Sequence, residues 1–139
     1  MLHFGVHMLL DGDLRNPRNL ITKISNYSKV SRIPKSFTVL EEFLPSTFNA
    51  ALRGLTGSYD WTNPGVISHN EIIVLYRDYL HPEFRWQNYT EEEEAELMKA
   101  PRSNNLMHDE KMKRTFPRKC WRSSPRSLNT CWSQTESLV

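Results

Sequence analysis

A short strand, a Pro-Gly turn and a strongly marked helix start follow one another between Tyr59 and Glu71. Ser68 and Glu71 have the spacing of a capping box, in which each side chain bonds a free backbone N–H of the first helical turn. Apolar residues then recur along one helix face until Pro82: Ile72, Leu75, Tyr76, Tyr79 and Leu80. Such a connection can form one wall of a pocket, although a purely structural role is the commoner use of this pattern.

Composition sets the size and the broad class of the protein. The 139 residues are enough for one modest domain with its own core. A net charge of +2 favours neither nucleic acid nor a membrane surface as a partner. No apolar run approaches the ~20 residues of a membrane-spanning helix, and the first residues lack the basic start of a signal peptide. We therefore expect a cytoplasmic α/β protein.

Two other helices have clear start signals. Asn16-Pro17 predicts a helix with Asn16 as its N-cap and proline at its first position, and Ile21 and Ile24 on its buried face. Thr90 with Glu93 forms another predicted capping box, and the four acids at positions 91–94 suit the positive end of a helix dipole. This acidic run therefore indicates a helix start rather than a binding tail.

A further helix is predicted from the capping-box spacing of Thr38 and Glu41 to a glycine stop at Gly54. Pro45 falls inside this helix and should kink or interrupt it, because proline lacks the backbone N–H that continues the hydrogen bonding. The apolar stripe expected to be buried consists of Leu40, Phe43, Leu44, Phe48 and Leu52.

The sequence lacks the common motifs for cofactors and metals. The five glycines stand singly, so the sequence contains neither a dinucleotide fingerprint nor a phosphate-binding loop. No tyrosine is followed four residues later by a lysine, the catalytic pair of short-chain dehydrogenases. His3 and His7, and likewise Cys120 and Cys131, lack the spacing of metal ligands. We therefore expect no metal site and no bound nicotinamide cofactor.

Three polar side chains at helix ends and in loops could carry chemistry, each with an ordinary alternative. Lys23 could act as a general acid or be a solvated surface lysine. Asn19 could bond a phosphate at a helix N-terminus or cap that helix locally. Arg102 could bind a diphosphate through two parallel hydrogen bonds or be an exposed loop arginine.

Several segments of the chain resemble, in the same order, those of plant nucleotide-rhamnose synthase. Residues 16–24, Asn-Pro-Arg-Asn-Leu-Ile-Thr-Lys-Ile, are similar to that family's Asn-Pro-Arg-Asn-Phe-Ile-Thr-Lys-Ile. Residues 62–72, Thr-Asn-Pro-Gly-Val-Ile-Ser-His-Asn-Glu-Ile, are nearly its Thr-Asn-Pro-Gly-Val-Val-Ser-His-Asn-Glu-Ile. Ile-Pro at 33–34 through Thr-Val-Leu at 38–40, and Ala-Pro-Arg-Ser-Asn-Asn at 100–105, are also similar. The likeness extends from about Asp13 to Pro117.

The resemblance implies an extended short-chain dehydrogenase/reductase, with an N-terminal Rossmann domain for NADPH and a C-terminal domain for the nucleotide sugar. We expect residues 1–12 to be the remnant of a late Rossmann strand and residues 13–117 to be the substrate domain. Residues 118–139 follow no regular pattern and leave the family's sequence, which indicates a disordered tail and, as a hypothesis, a frameshifted 3′ end. The chain would then be a C-terminal substrate-domain fragment with an incomplete Rossmann domain.

The resemblance also implies site residues. Lys23 matches the lysine proposed as the acid in epimerisation, Asn19 an asparagine on the sugar-nucleotide phosphate, and Arg102 a diphosphate arginine. Asn63 and Gly65 at the turn, with Asn104 beside Arg102, complete the expected substrate-binding set. This chain departs from the family where Lys35 and Phe37 replace asparagine and methionine in a segment near the substrate, and where Leu106 replaces an acid after Asn105.

The family is a bifunctional 3,5-epimerase/4-reductase that converts a UDP- or dTDP-linked 4-keto-6-deoxyglucose to nucleotide-L-rhamnose with NADPH. Because the cofactor glycines and the Tyr-x-x-x-Lys pair are absent, we expect this chain to be inactive alone and to bind no NADPH. One alternative is a non-catalytic module that binds a sugar nucleotide or a full-length homologue as its dimer partner. Another alternative is an unstable pseudogene product.

Overall fold

Helices and short strands alternate in the computed structural model, which describes residues 1–99 and 106–116. The strands are β1 (Leu2–Val6), β2 (Leu9–Leu10), β3 (Lys29–Val30), β4 (Pro34–Lys35), β5 (Thr38–Val39), β6 (Gly57–Trp61), β7 (Ile67–Ser68) and β8 (Gln87–Asn88). The helices are α1 (Leu20–Ser25), α2 (Leu40–Leu52), α3 (His69–Tyr79), α4 (Glu91–Lys99) and α5 (Glu110–Thr115). The tail predicted at residues 118–139 lies outside the described residues.

Each strand pairs with a strand that is distant in sequence. β1 runs parallel to β6, β2 parallel to β5 and β3 parallel to β8, whereas β4 and β7 are antiparallel. Between β1 and β2 the backbone of Met8 has a φ of 48°, a left-handed conformation that is unusual for a side chain of this kind. The segment at the start of the chain thus pairs first with β6, through β1, and then with β5, through β2.

The core consists of apolar clusters on these pairs. Phe4, Tyr59 and Trp61 of the β1–β6 pair pack with Phe43 of α2 and Phe116 after α5. A second cluster joins β2, β5 and β7 to α1 and α3: Leu10, Ile21, Phe37, Val39, Ile67 and Ile72. The first cluster contains residues of β6, and the second contains Ile67 from the segment between β6 and α3. The stretch from Tyr59 to Glu71 therefore links the two parts of the core.

Two of the predicted capping boxes are confirmed. The backbone N–H of Glu71 donates to the Ser68 hydroxyl at 3.2 Å, and the N–H of Ser68 donates to the Glu71 carboxylate at 2.7 Å. At the start of α4, Thr90 and Glu93 exchange the equivalent bonds at 2.9 and 3.3 Å. The predicted apolar face of α3 also lies against the core.

The start of α1 differs from the prediction. The helix begins at Leu20, and its N-cap is Asn19 instead of the predicted Asn16. Asn16 is engaged in a tighter local turn, since its side chain accepts the N–H of Arg18 at 2.9 Å and its carbonyl accepts the N–H of Asn19 at 2.9 Å. The Asn-Pro signal therefore marks a turn before the helix.

The capping box predicted at Thr38 and Glu41 is wrong. The N-cap of α2 is Val39, and no capping side chain comes from the helix start itself. The Thr38 hydroxyl donates to the Trp61 carbonyl at 2.7 Å, and the Glu41 carboxylate accepts the N–H of Gly12 at 2.7 Å. Both side chains are thus used in contacts between distant segments, which short-range spacing does not reveal.

The buried stripe predicted for α2 is wrong at three of its five positions, whereas Leu40 and Phe43 are half-buried. Ser46 and Ala50 are buried, whereas Leu44, Phe48 and Leu52 are 57%, 68% and 73% exposed. The helix continues through Pro45. The aromatic ring of Phe43 packs on the Trp61 ring at 5.6 Å, and this contact helps to fix which face of α2 turns inward. Gly54 ends the helix as predicted, with a φ of 65°.

Candidate functional site

A cavity of about 970 Å³ lies between α1, the segment from β3 to β4, the start of α3 and the C-terminal half of α4. Three lysines line it, Lys23, Lys29 and Lys35, and no acidic side chain does so among the described residues. Apolar and aromatic side chains form most of the remaining wall: Met8, Leu20, Tyr27, Val66, Tyr89 and Met98. This volume falls in the range of pockets that hold small ligands and cofactors.

The cavity is electropositive, although one of its cations is partly neutralised. The Lys29 ammonium forms an ion pair with Glu93 and lies 5.9 Å from the centre of the Tyr89 ring. Hydrogen bonding and charge from Lys29 keep the pKa of the Glu93 carboxyl below its ordinary value, so this partner stays ionised at neutral pH. Three lysine side chains on the wall of one cavity favour an anionic ligand such as a phosphate or a diphosphate.

His69 contributes a neutral polar group to the cavity wall. Burial, helped by the positive charge of Lys35, lowers the pKa of His69 to about 4, so its imidazole is uncharged at neutral pH. The ring packs on Phe37 with 6.0 Å between centroids. Its Nε2 atom is buried and has no hydrogen-bond partner within residues 1–99 and 106–116.

Of the predicted site residues, Lys23 lines the cavity with an exposed side chain. Asn19 is 4% exposed, and the protein itself engages both ends of its amide. The oxygen accepts the N–H of Ile21 at 2.8 Å, and the nitrogen donates to the carbonyls of Asp11 and Asp13 at 2.7 and 3.0 Å. The capping role of Asn19 is therefore present, and its contact with a phosphate stays a prediction.

The turn residues lie beside the cavity and do not line it. Asn63 is 1% exposed and bonds Val39 and Glu42 through its side chain. Gly65 has a φ of 83°, which suits glycine, and the next residue, Val66, lines the cavity. Arg102 and Asn104 lie outside the described residues, but Met98 and Leu106, near the two ends of that gap, both line the cavity.

The prediction from sequence missed Lys29 and His69 as site residues and recorded Lys35 only as a departure from the family. The three lysines occur every six residues, a spacing that does not align side chains on one helix face and that would separate them by about 20 Å along a strand. They meet because α1 ends at Ser25 and the following segment turns back past α3. A lysine count alone could not have found this cluster.

The residues present do not fit a dinucleotide cofactor. That group needs closely spaced glycines in a strand-to-helix turn so that backbone N–H groups can approach the pyrophosphate. In this chain Gly12 and Gly65 lie singly in loops that do not lead directly into a helix, while α2 and α3 follow β5 and β7 without a glycine. Within the described part of the chain, no group of three metal-ligating side chains was found, and no helix is long and apolar enough to cross a membrane.

Fold and cavity together define an α/β protein with a lysine-lined pocket suited to a phosphorylated ligand. The sequence matches no family model. Over 112 residues, 81% of this chain, it is 56% identical to the trifunctional UDP-glucose 4,6-dehydratase/UDP-4-keto-6-deoxy-D-glucose 3,5-epimerase/UDP-4-keto-L-rhamnose-reductase of Arabidopsis thaliana. It is 54% identical over the same length to the bifunctional dTDP-4-dehydrorhamnose 3,5-epimerase/dTDP-4-dehydrorhamnose reductase of that plant. These homologues are rhamnose synthases, and this chain is similar to one part of them.

A solved structure agrees with the sequence relatives. The crystal structure of a UDP-rhamnose synthase from Acanthamoeba polyphaga mimivirus superposes with a TM-score of 0.81 and 35% identity, covering 95% of this chain. The match covers 45% of that structure, 37% of the bifunctional plant protein and 17% of the trifunctional one. The chain thus spans less than half the length of each relative.

Proposed function

We propose that this chain is the nucleotide-sugar-binding part of a rhamnose synthase, whose ligand is a UDP- or dTDP-linked 4-keto-6-deoxyhexose or the corresponding L-rhamnose. The observation that carries the proposal is the cavity in which Lys23, Lys29 and Lys35 converge. Three ammonium groups complement the charge of a diphosphate, and the apolar and aromatic wall offers contact surface to a sugar and a base.

Lys23 is proposed as the group that moves a proton in the 3,5-epimerisation. Epimerisation next to a keto group removes a proton from carbon and returns one to the opposite face of the sugar, so it needs an acid and a base within reach. Lys23 has an exposed ammonium on the cavity wall, and α1 holds it in place through the buried side chains of Ile21 and Ile24.

The proposal also concerns cofactor binding and catalysis, for which this chain lacks two sequence features. In the family, NADPH supplies the hydride for reduction at C4, and an extended short-chain dehydrogenase/reductase fold binds it in a Rossmann domain. We propose that residues 13–117 correspond to the sugar-nucleotide domain of that fold and that this chain alone, in the cytoplasm, catalyses neither epimerisation nor reduction. The missing glycine-rich turn and the missing Tyr-x-x-x-Lys pair support this view.

Binding measurements test the proposal. Isothermal titration of the purified chain with UDP-rhamnose should give saturable binding that the Lys23→Ala variant weakens. Arg114→Ala is the matched control, because it removes one positive charge from an exposed position on α5. No binding by the wild-type chain, or equal loss in both variants, would contradict the proposal. Oxidation of NADPH in the presence of the 4-keto sugar would contradict the proposed inactivity.

A second candidate function is a subunit-binding module for a full-length homologue. The observation that favours it is the exposed apolar stripe of α2, formed by Leu44, Phe48 and Leu52. Apolar side chains on both faces of one helix are typical of a helix that is covered on both sides. Co-purification of the chain with a tagged bifunctional relative should then occur and should be lost in Phe48→Glu.

A further inference from the structure

Helix α4 forms one wall of the cavity, yet none of its side chains is buried. Leu97 and Met98, in its second half, line the cavity, and Met98 is 58% exposed. Most helices in folded proteins are held by an apolar face against the core. Polar contacts should therefore contribute strongly to the position of α4 in the described part of the chain.

Those contacts are concentrated in the first turn of α4. Glu94 accepts the backbone N–H of Arg32 at 2.6 Å, and the Ser31 hydroxyl lies 3.4 Å from the same carboxylate oxygen. Glu93 caps its own helix through Thr90 and forms the ion pair with Lys29. Two neighbouring carboxylates thus join α4 to the segment of residues 29–32.

The segment that receives these contacts also belongs to the cavity. Lys29 and Ser31 both line it, as do Leu97 and Met98 of α4. The carboxylates of Glu93 and Glu94 therefore fix the distance between two walls of the same site. Hydrogen bonds to a charged acceptor are stronger than those between neutral groups, so these contacts help to hold a short helix in place.

We propose that Glu93 and Glu94 are positioning residues that fasten α4 across the cavity and thereby set its width for the sugar nucleotide. The ligand part of this inference rests on the proposed function, whereas the fastening of α4 does not. The chemical class of the ligand is a nucleoside diphosphate sugar, since the lysines on the fastened walls provide its counter-charges.

The acids at residues 91–94 could instead act only through the helix dipole, and an experiment can distinguish this role from the proposed one. The helix dipole favours any acid in the first turn of a helix, so a dipole effect alone predicts similar consequences for Glu92 and Glu94. Glu92 is exposed on that same turn. Alanine retains or improves helix propensity at either position, so a loss of propensity would explain the effect of neither substitution.

The test compares Glu94→Ala with its matched control Glu92→Ala in the full chain. Amide hydrogen exchange of residues 91–99 should become clearly faster in Glu94→Ala than in Glu92→Ala, which loses only its interaction with the helix dipole. Affinity for UDP-rhamnose should fall about five- to tenfold in Glu94→Ala, as expected for one lost charge-assisted hydrogen bond. Glu93→Gln, which keeps the cap but loses the ion pair, should also speed the exchange of α4.

Two results would overturn the inference. One is equal exchange of α4 in the Glu94→Ala and Glu92→Ala variants, and the other is faster exchange in Glu94→Ala with unchanged affinity for UDP-rhamnose. Absence of any binding by the wild-type chain would instead refute the proposed function and, with it, the ligand part of this inference. The exchange rates would still decide whether the two carboxylates fasten α4.

Discussion

The side-chain oxygen of Asn63 accepts the backbone N–H of Val39 at 2.8 Å, across 24 residues of sequence. The amide nitrogen of Asn63 donates to the Glu42 carboxylate at 2.6 Å, in the first turn of the same helix. Asn63 therefore caps α2 from the turn that precedes α3. This explains why α2 can begin at Leu40 without a capping side chain of its own, and why Asn63 is 1% exposed.

Replacing Asn63 by alanine should destabilise the fold. The substitution leaves the buried N–H of Val39 and the Glu42 carboxylate without these bonds, so we expect a loss of about 2–3 kcal/mol in the free energy of unfolding. Asn63→Asp should be at least as costly, because a second carboxylate would face Glu42. Urea unfolding measures both, and Asn49→Ala on the exposed side of α2 provides the control. A change below about 0.5 kcal/mol for Asn63→Ala would contradict the capping role.

The two faces of α2 should differ strongly in their tolerance of substitution. Phe43→Ala removes a ring that packs on Phe4 and Trp61 and should cost about 3 kcal/mol. Phe48→Ala removes the same atoms from a position that is 68% exposed and should change the stability by less than about 0.5 kcal/mol. Thermal or urea unfolding of the two variants checks this, and equal losses would show that the stripe at Phe48 is covered in solution.

The elements that could be predicted from sequence depend on residues a few positions apart. The capping boxes of Ser68 with Glu71 and of Thr90 with Glu93 have both partners within one helical turn, so spacing alone reveals them. The glycine stop after α2 is equally local, because a positive φ depends on one residue. The apolar face of α3 was predictable since its other face is polar.

The elements that could not be predicted depend on contacts between distant segments. Thr38 has the sequence of a cap, but its hydroxyl bonds Trp61, and the cap of α2 comes from Asn63. The inward face of α2 could not be read from periodicity because apolar residues occupy two of its faces. Likewise, the cavity lysines lie on different elements, so only the fold brings Lys29 and Lys35 beside Lys23.

The free energy of unfolding should fall as the pH is lowered from 6.5 towards 4. In this range His69 is neutral in the folded protein and protonated in the unfolded chain. Its pKa is about 4 when folded and ordinarily 6.5, so between these values the unfolded chain binds the extra proton. The contribution of His69 is thus complete above pH 6.5 and decreases towards pH 4. From pH 7 to pH 5 we expect a loss of about 1–2 kcal/mol.

Unfolding curves at pH 7 and pH 5 measure this loss directly. His69→Gln lacks the titrating group, so its stability should change less between the two pH values than that of the wild-type chain. His108→Gln, a substitution at an exposed histidine, should retain the wild-type difference. The same pH dependence in all three proteins would show that His69 is not its source.

Lys35→Asn, which introduces the residue typical of the family, should act on both His69 and the ligand. Burial is the larger cause of the low pKa of His69 and the charge of Lys35 the smaller one, so removing that charge should raise the pKa while keeping it below 6.5. NMR titration of the imidazole Cε1–H signal measures this shift. The same variant should bind UDP-rhamnose more weakly, because one of the three cations that line the cavity is lost. An unchanged pKa would show that Lys35 does not face His69 in solution, and unchanged affinity would show that the diphosphate binds elsewhere.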